Sequence, residues 1–324
     1  MRNWILPEAI DDVLPHEAAR LEALRRTLLD HFAAAGYRLV RPPLIEHIES
    51  LLTGSARDLD LQTFKVVDPL SGRLLGVRAD LTPQVARIDA HLLNEPGVTR
   101  LCYAGSVLRT MPAAVGGTRE VMQIGAELFG EPAITGDREV IGLLISALDA
   151  VGLHGLHLDL GHVGIYRALA HGAGLTGNGT EELYDAVRTK DVPGVEGLTA
   201  RLPGAWRDAL RALPALYGPA AQVLAQARAT LPDTPPIANA LAALDALAHA
   251  AEPGVDALHV DLADLRGYHY QNGAIFSVFV AGEPSAIGNG GRYDGIGKAF
   301  GRARPATGFT FDLRQLASVI ARAG

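Results

Sequence analysis

Between about Gly161 and Pro253 the chain becomes alanine- and leucine-rich and is broken by Pro193, Pro203, Pro214, Pro219 and the pair Pro235-Pro236. Proline is tolerated in the first turn of a helix but not in its interior, so these breaks predict several short helices rather than one long one. Alanine at this density points to tightly packed helices. Strand signals flank this stretch on both sides, which predicts an antiparallel core interrupted by a helical insertion. The fold class is α+β, with residues 1–162 as the first part of the core, 163–253 as the insertion and 254–324 as the second part.

Within the first part, Leu21, Leu24, Leu28 and Phe32 recur at helical spacing between Pro15 and Ala35. Gly36 follows where a left-handed cap is commonest. Tyr37 to Arg41 reads as a strand stopped by Pro42-Pro43. Strand-like pieces then run over Thr63 to Val67, Leu74 to Arg78, Thr99 to Arg109 and Glu120 to Phe129, with Asp68-Pro69 and Ser71-Gly72 marking a hairpin. One helix, Pro83 to Leu93, interrupts them. Asp137 to Val151 has helical spacing and His154 to Leu160 alternates as a strand. Beyond the insertion, Leu258 to Leu262 and Ala274 to Val280 read as strands, followed by a glycine-rich loop.

The 29 Lys and Arg against 36 Asp and Glu leave a net charge of −7, which argues against a generic nucleic-acid-binding surface. A single cysteine, Cys102, excludes an intrachain disulfide framework and a cysteine-rich metal site, and suggests a reducing compartment. No charged segment followed by a long apolar one opens the chain, and the longest apolar run, Val140 to Leu148, is bounded by Glu139 and Asp149. A cytoplasmic protein without signal peptide or membrane span is expected.

Several chemical motifs fail on detail. Gly288 to Gly295 with Gly297-Lys298 suggests a phosphate loop, but Arg292 stands where a Walker loop needs glycine and Ala299 where it needs Ser or Thr. Of the 11 histidines, His154 and His157 are a possible ligand pair with His162 nearby, yet positions three apart on a strand face opposite ways. No metal is expected. No Gly-x-Ser-x-Gly elbow occurs, and Cys102 reads as packed rather than nucleophilic.

A set of polar residues is more informative. Asp80, Arg109, Arg119, Gln123, Glu127 and Arg266 fall within or at the ends of strand-like segments. Alternation puts Val121, Gln123, Gly125 and Glu127 on one face. Such a face suits the floor of a polar ligand pocket, because buried polar groups need partners. A half-exposed sheet face with solvated charges is the other reading.

These segments, in order, resemble the class II aminoacyl-tRNA synthetase core and its histidyl-tRNA synthetase branch. Leu21 to Glu46, with Gly36-Tyr37 and Pro42 to Glu46, is similar to the first class II motif, which in that family builds a homodimer interface. Tyr103 to Phe129, with Leu108-Arg109, Gly116 to Glu120 and Gln123 to Glu127, is similar to the second. Leu265 to Tyr270 and Gly290 to Gly295 resemble the two histidine-specific signatures, and Thr307 to Gln315 the third motif. The resemblance implies a class II antiparallel sheet flanked by helices. It assigns histidine binding to Asp80, Thr82, Arg109, Gln123, Glu127, Arg266, Tyr268 and Tyr270, with Asp80 where the synthetases usually have Glu.

Departures from the family bear on activity. Met111 stands in place of the ATP-contacting glutamate, Val121 in place of the adenine-stacking aromatic, and Gln315 in place of the phosphate-binding arginine. Three different contacts are lost: an acceptor, a π surface and a charge-assisted clamp. Asp312 replaces a glycine, and Arg314, adjacent to Gln315, points about 100° away on a helix. Gln271 replaces a second signature tyrosine. The family's anticodon-binding domain follows the third motif, and with the chain ending at Gly324 none is expected. This combination resembles the regulatory subunits of ATP phosphoribosyltransferase. That likeness implies a non-catalytic histidine sensor in histidine biosynthesis, without cofactor, homodimeric through the first motif and partnered with a short catalytic subunit. A histidine-activating enzyme and a tRNA-sensing regulator are the alternatives.

Overall fold

A computed structural model describes residues 5–53, 57–112 and 117–323 of the chain. Gly116, Met1 to Trp4 and the terminal Gly324 lie outside the described residues. Strands run over Arg38–Leu39 (β1), Ile45–His47 (β2), Phe64–Val67 (β3), Leu74–Val77 (β4), Thr99–Leu108 (β5) and Glu120–Phe129 (β6). They continue over Leu156–His162 (β7), Tyr217–Pro219 (β8), Ala257–Asp261 (β9), Ala274–Val280 (β10), Gly288–Arg292 (β11) and Ala306–Asp312 (β12). Two compact units result: Met1–Glu131 with Ser146–Leu153 and Asp294–Gly324, and Pro132–Ile145 with His154–Tyr293. These boundaries cut across the 1–162, 163–253 and 254–324 division.

In the first unit the strand order is β1-β5-β6-β12, with a separate sheet β2-β4-β3. The helix Pro15–Ala34 buries Leu21, Leu24, Leu28 and Phe32, the expected stripe, and Gly36 caps it at φ +86°. Phe32 meets Phe309 of β12 edge to face, with centroids 5.7 Å apart. The β3-β4 hairpin forms as the turn residues imply. The helix expected over Pro83 to Leu93 is an α-helical turn, Thr82–Arg87, continued as a π-helical stretch, Ile88–Leu93. Its Asp89 is buried and pairs with Arg304 at 2.8 Å. Cys102 is buried, and burial pushes its thiol up to about 11, the packed and unreactive state.

In the second unit the order is β11-β10-β7-β9-β8. Helices Val163–Gly172, Asn178–Arg188, Val192–Thr199, Gly204–Ala212, Ala220–Thr230 and Pro235–Ala251 fill the alanine-rich stretch. Prolines stand in the first turns of Val192–Thr199 and Pro235–Ala251, where a missing N–H costs nothing. The Asp191 carboxylate accepts from Gly194 N at 3.1 Å and caps the first of these. A Cβ on Gly172 would lie 2.4 Å from the Trp206 ring, so glycine permits close helix packing there.

Three expectations are corrected. The pairing is not antiparallel throughout: β1 runs parallel to β5 and β7 parallel to β9, while β2-β4-β3 is antiparallel. Parallel neighbours need a long crossover, and the helical stretch between β7 and β9 supplies one. The glycine-rich segment read as a loop is strand β11, paired antiparallel with β10. Glycine is poor in strands, but here backbone approach demands it: a Cβ on Gly291 would lie 2.7 Å from Gln271 Nε2 and 2.8 Å from Ala274 O. The strand expected over Tyr37 to Arg41 shortens to two residues before the prolines. Among the described residues no helix is long and apolar enough to cross a membrane.

Candidate functional site

Strand β6 presents Gln123 and Glu127 inward, 2% and 1% exposed, on the face that alternation assigns. The Glu127 carboxylate accepts from Thr82 Oγ1 at 2.9 Å and from the Tyr103 hydroxyl at 3.0 Å. Those two hydroxyls lie 3.2 Å apart. Gln123 ties the preceding turn to the sheet: its Oε1 accepts from Leu81 N at 2.9 Å and its Nε2 donates to Asp80 Oδ1 at 3.0 Å. Asp80 Oδ1 also accepts from Thr82 N at 3.1 Å. Asp80, Thr82, Gln123 and Glu127, far apart in sequence, thus form one hydrogen-bonded group.

Register explains the room for it. Gly308 of β12 stands opposite Glu127, and Gly125 opposite Tyr103. A Cβ on Gly308 would fall 1.6 Å from Glu127 Oε2, and one on Gly125 2.5 Å from the Tyr103 hydroxyl oxygen. Burial first, then the Glu127 and Asp80 carboxylates, raise Tyr103 well above the usual tyrosine range and keep it a donor. Tyr103 and Gly308 belong to this site although the pattern of polar residues did not single them out. A tyrosine two strands from a glycine is informative only once the register is known. Two carboxylates with hydroxyl and amide donors already committed leave acceptors for a cationic ligand group.

Arg109 borders this group at Ala79, the residue before Asp80. Its backbone N–H donates to Arg119 O at 2.9 Å and its Nε to Ala79 O at 3.4 Å. Arg119 is spent on the fold, donating from Nε to Arg109 O and lying over the Phe64 ring at 4.8 Å. Of the positions that depart from the synthetase pattern, Met111 is 70% exposed and Val121 is buried. Asp312 accepts from Arg314 N at 3.0 Å; burial pushes its carboxyl up, against the pull of Arg314 and Arg109. Arg314 stands 3.9 Å from Glu120.

In the second unit, Arg266, Tyr268 and Tyr270 follow one another along the turn Leu265 to Gln271, where Gly267 takes φ +68°. The Arg266 guanidinium is held by the Asp264 carboxylate and donates to Asn289 Oδ1 at 3.0 Å. Tyr268 stacks on Tyr184 at 4.8 Å, meets Tyr166 edge to face at 5.5 Å, and carries the Arg167 guanidinium 4.7 Å above its ring. Tyr270 is 40% exposed. Gln271, in place of a signature tyrosine, is buried between two glycines: a Cβ on Gly267 would lie 2.5 Å from its Oε1, and one on Gly291 2.7 Å from its Nε2. Arg292 of the second signature pairs with buried Asp137 at 2.9 Å and is structural.

Residues 9–316 match the histidyl-tRNA synthetase family model. Over 98% of the chain, the sequence is 56% identical to an ATP phosphoribosyltransferase regulatory subunit of Ralstonia nicotianae, covering 82% of that protein. It is 55% identical to one of Thiobacillus denitrificans, covering 98% of both. A crystal structure of an ATP phosphoribosyltransferase regulatory subunit/histidyl-tRNA synthetase from Bacillus halodurans superposes with a TM-score of 0.89 at 27% identity, over 99% of this chain and 84% of that one. The histidyl-tRNA synthetase of a Nostoc species shares the fold, with a TM-score of 0.79 at 17% identity over 77% of its chain. The chain belongs to the histidyl-tRNA synthetase-like family and, within it, to the ATP phosphoribosyltransferase regulatory subunits.

Proposed function

We propose that the protein is a non-catalytic, histidine-sensing subunit that a short ATP phosphoribosyltransferase catalytic subunit needs for activity. The observation that carries this reading is the buried Glu127 carboxylate with Thr82, Tyr103, Gln123 and Asp80 around it, all in one unit. Acceptors of this kind suit the α-ammonium of an amino acid, and charge-assisted hydrogen bonds to it are the strong ones. The family resemblance also proposes Arg109, Arg266, Tyr268 and Tyr270 for histidine binding, with Arg266 on the ligand carboxylate. Met111, Val121 and Gln315 leave ATP without its adenine and phosphate partners.

Histidine inhibits by binding one conformation of the complex more tightly, and coupling of about 1–3 kcal/mol suffices. Homodimerisation through the segment Leu21 to Glu46 agrees with the exposure of Leu39, Leu44 and Ile45 at 46%, 53% and 50%. Residues 163–253 are the insertion into a core of 1–162 and 254–324, and the protein works in the cytoplasm. Isothermal titration with L-histidine and with ATP, with and without the short catalytic subunit, tests the reading. Histidine binding without ATP binding, together with a stable complex, is expected. Joint binding of ATP and histidine with no complex would instead favour a histidine-activating enzyme.

A further inference from the structure

Strand β7 turns His157 and Asp159 to one face, because side chains alternate along a strand. The parallel pairing with β9 sets Asp159 beside His259, 100 residues further on. His157 Nε2 lies 2.8 Å from His259 Nδ1, and Asp159 Oδ1 lies 3.4 Å from the first and 3.9 Å from the second. One point about 2 Å from all three atoms satisfies these separations, and that is the bond length zinc makes to imidazole nitrogen and carboxylate oxygen. We propose that His157, Asp159 and His259 bind a divalent transition-metal ion of the zinc class.

Two observations set this trio apart from scattered surface charges. Asp159 Oδ1 is shielded from water and makes no hydrogen bond, an unfavourable arrangement that a cation would relieve. The two imidazoles meet edge to face, 4.1 Å between centroids, so one ring donates and the other accepts the proton they share. A metal replaces that single proton by a common centre, and neutral imidazole is the form that ligates. Two nitrogens and one oxygen select borderline ions over calcium or magnesium, which take oxygen sets.

The site is reachable. The side chains of His157 and His259 are 35% and 37% exposed. A groove of about 570 Å³ runs alongside, lined by His157, Asp159, Asp256, Phe279 and Glu283 among others. With three protein ligands the ion keeps a position open to water or to an anionic group of another molecule. None of its residues is among those proposed to hold histidine, although Asp159 and Arg266 lie close enough to feel each other's charge.

The test uses the full chain, stripped with a chelator, titrated with Zn²⁺ by calorimetry and with Co²⁺ by visible absorption. The expected result is about one ion per chain, with new visible cobalt absorption that saturates at that ratio. H157A and H259A should each weaken binding about a hundredfold, and the near-isosteric D159N about tenfold. H16A, at an exposed histidine of the first helix, should change nothing. Circular dichroism confirms folding, and D159N keeps the test decisive if a histidine variant misfolds. Absence of stoichiometric binding overturns the proposal, as does binding that D159N and both histidine variants leave unchanged.

Discussion

The two units position their polar residues by different means. In the first, Glu127 and Gln123 are buried on a ten-residue strand; Tyr103 reaches Glu127 from the neighbouring strand β5, and Leu81 and Thr82 are drawn in by hydrogen bonds to these buried side chains. In the second, Arg266 and Tyr270 sit exposed on a turn, and Arg266 is held by a neighbour, Asp264, two residues away. A strand fixes direction and depth together, so the first group is organised before any ligand arrives. The turn leaves that to side-chain partners, and a ligand carboxylate would have to compete with Asp264.

Substitutions can break this contrast. Gly308→Ala should have the largest effect: with its Cβ 1.6 Å from Glu127 Oε2, the strand or the carboxylate must move. A loss of about 4 kcal/mol in denaturant unfolding is expected, with loss of histidine binding. Glu127→Ala should weaken histidine binding about a hundredfold in calorimetry, and, because it also leaves the buried Thr82 and Tyr103 hydroxyls without their acceptor, it should lower stability in denaturant unfolding. An unchanged dissociation constant would place the pocket elsewhere.

His162, at the end of β7, extends the comparison to stability. Burial lowers its pKa to about 4, from 6.5, while its Nδ1 accepts from Gly164 N at 3.1 Å. The unfolded chain takes up this proton below about pH 6.5 and the folded chain only below about 4. Stability is therefore full above that window and falls as pH drops through it, by about 2 kcal/mol between pH 7 and pH 5. His162→Asn keeps a capping acceptor and should flatten that slope in urea titrations.

Asp264→Asn should sharpen the contrast, because it loosens the hold on Arg266; histidine affinity is expected to rise about threefold by calorimetry. If it falls instead, Asp264 positions Arg266 for the ligand rather than competing for it. Arg109→Ala should change affinity least, by less than about threefold, since the Arg109 side chain donates to the backbone carbonyl of Ala79.

Much of this was legible along the chain. The helix Pro15–Ala34, strands β5 and β6 and the polar face of β6 follow from periodicity, because apolar and polar positions recur with the period of the element they form. Strand β11 was not, since glycine composition speaks for a loop and only the approach of Gln271 and Ala274 makes glycine necessary. The histidine spacing pointed away from a metal: His154 and His157 diverge, while the converging residues are His157, Asp159 and a histidine on another strand.

The sequence by itself determined the helix Pro15–Ala34, strands β5 and β6, which face of β6 is polar, and that Met111, Val121 and Gln315 stand where the synthetases it resembles contact ATP. Local periodicity and residue chemistry carry that information without reference to distant segments. Only the tertiary structure decided that Gly308 clears space for Glu127, that Arg266 is held by Asp264, and that His259 meets His157. The first and third depend on strand register, which joins residues far apart along the chain and leaves no local pattern, and the second on how the turn folds Arg266 back onto Asp264.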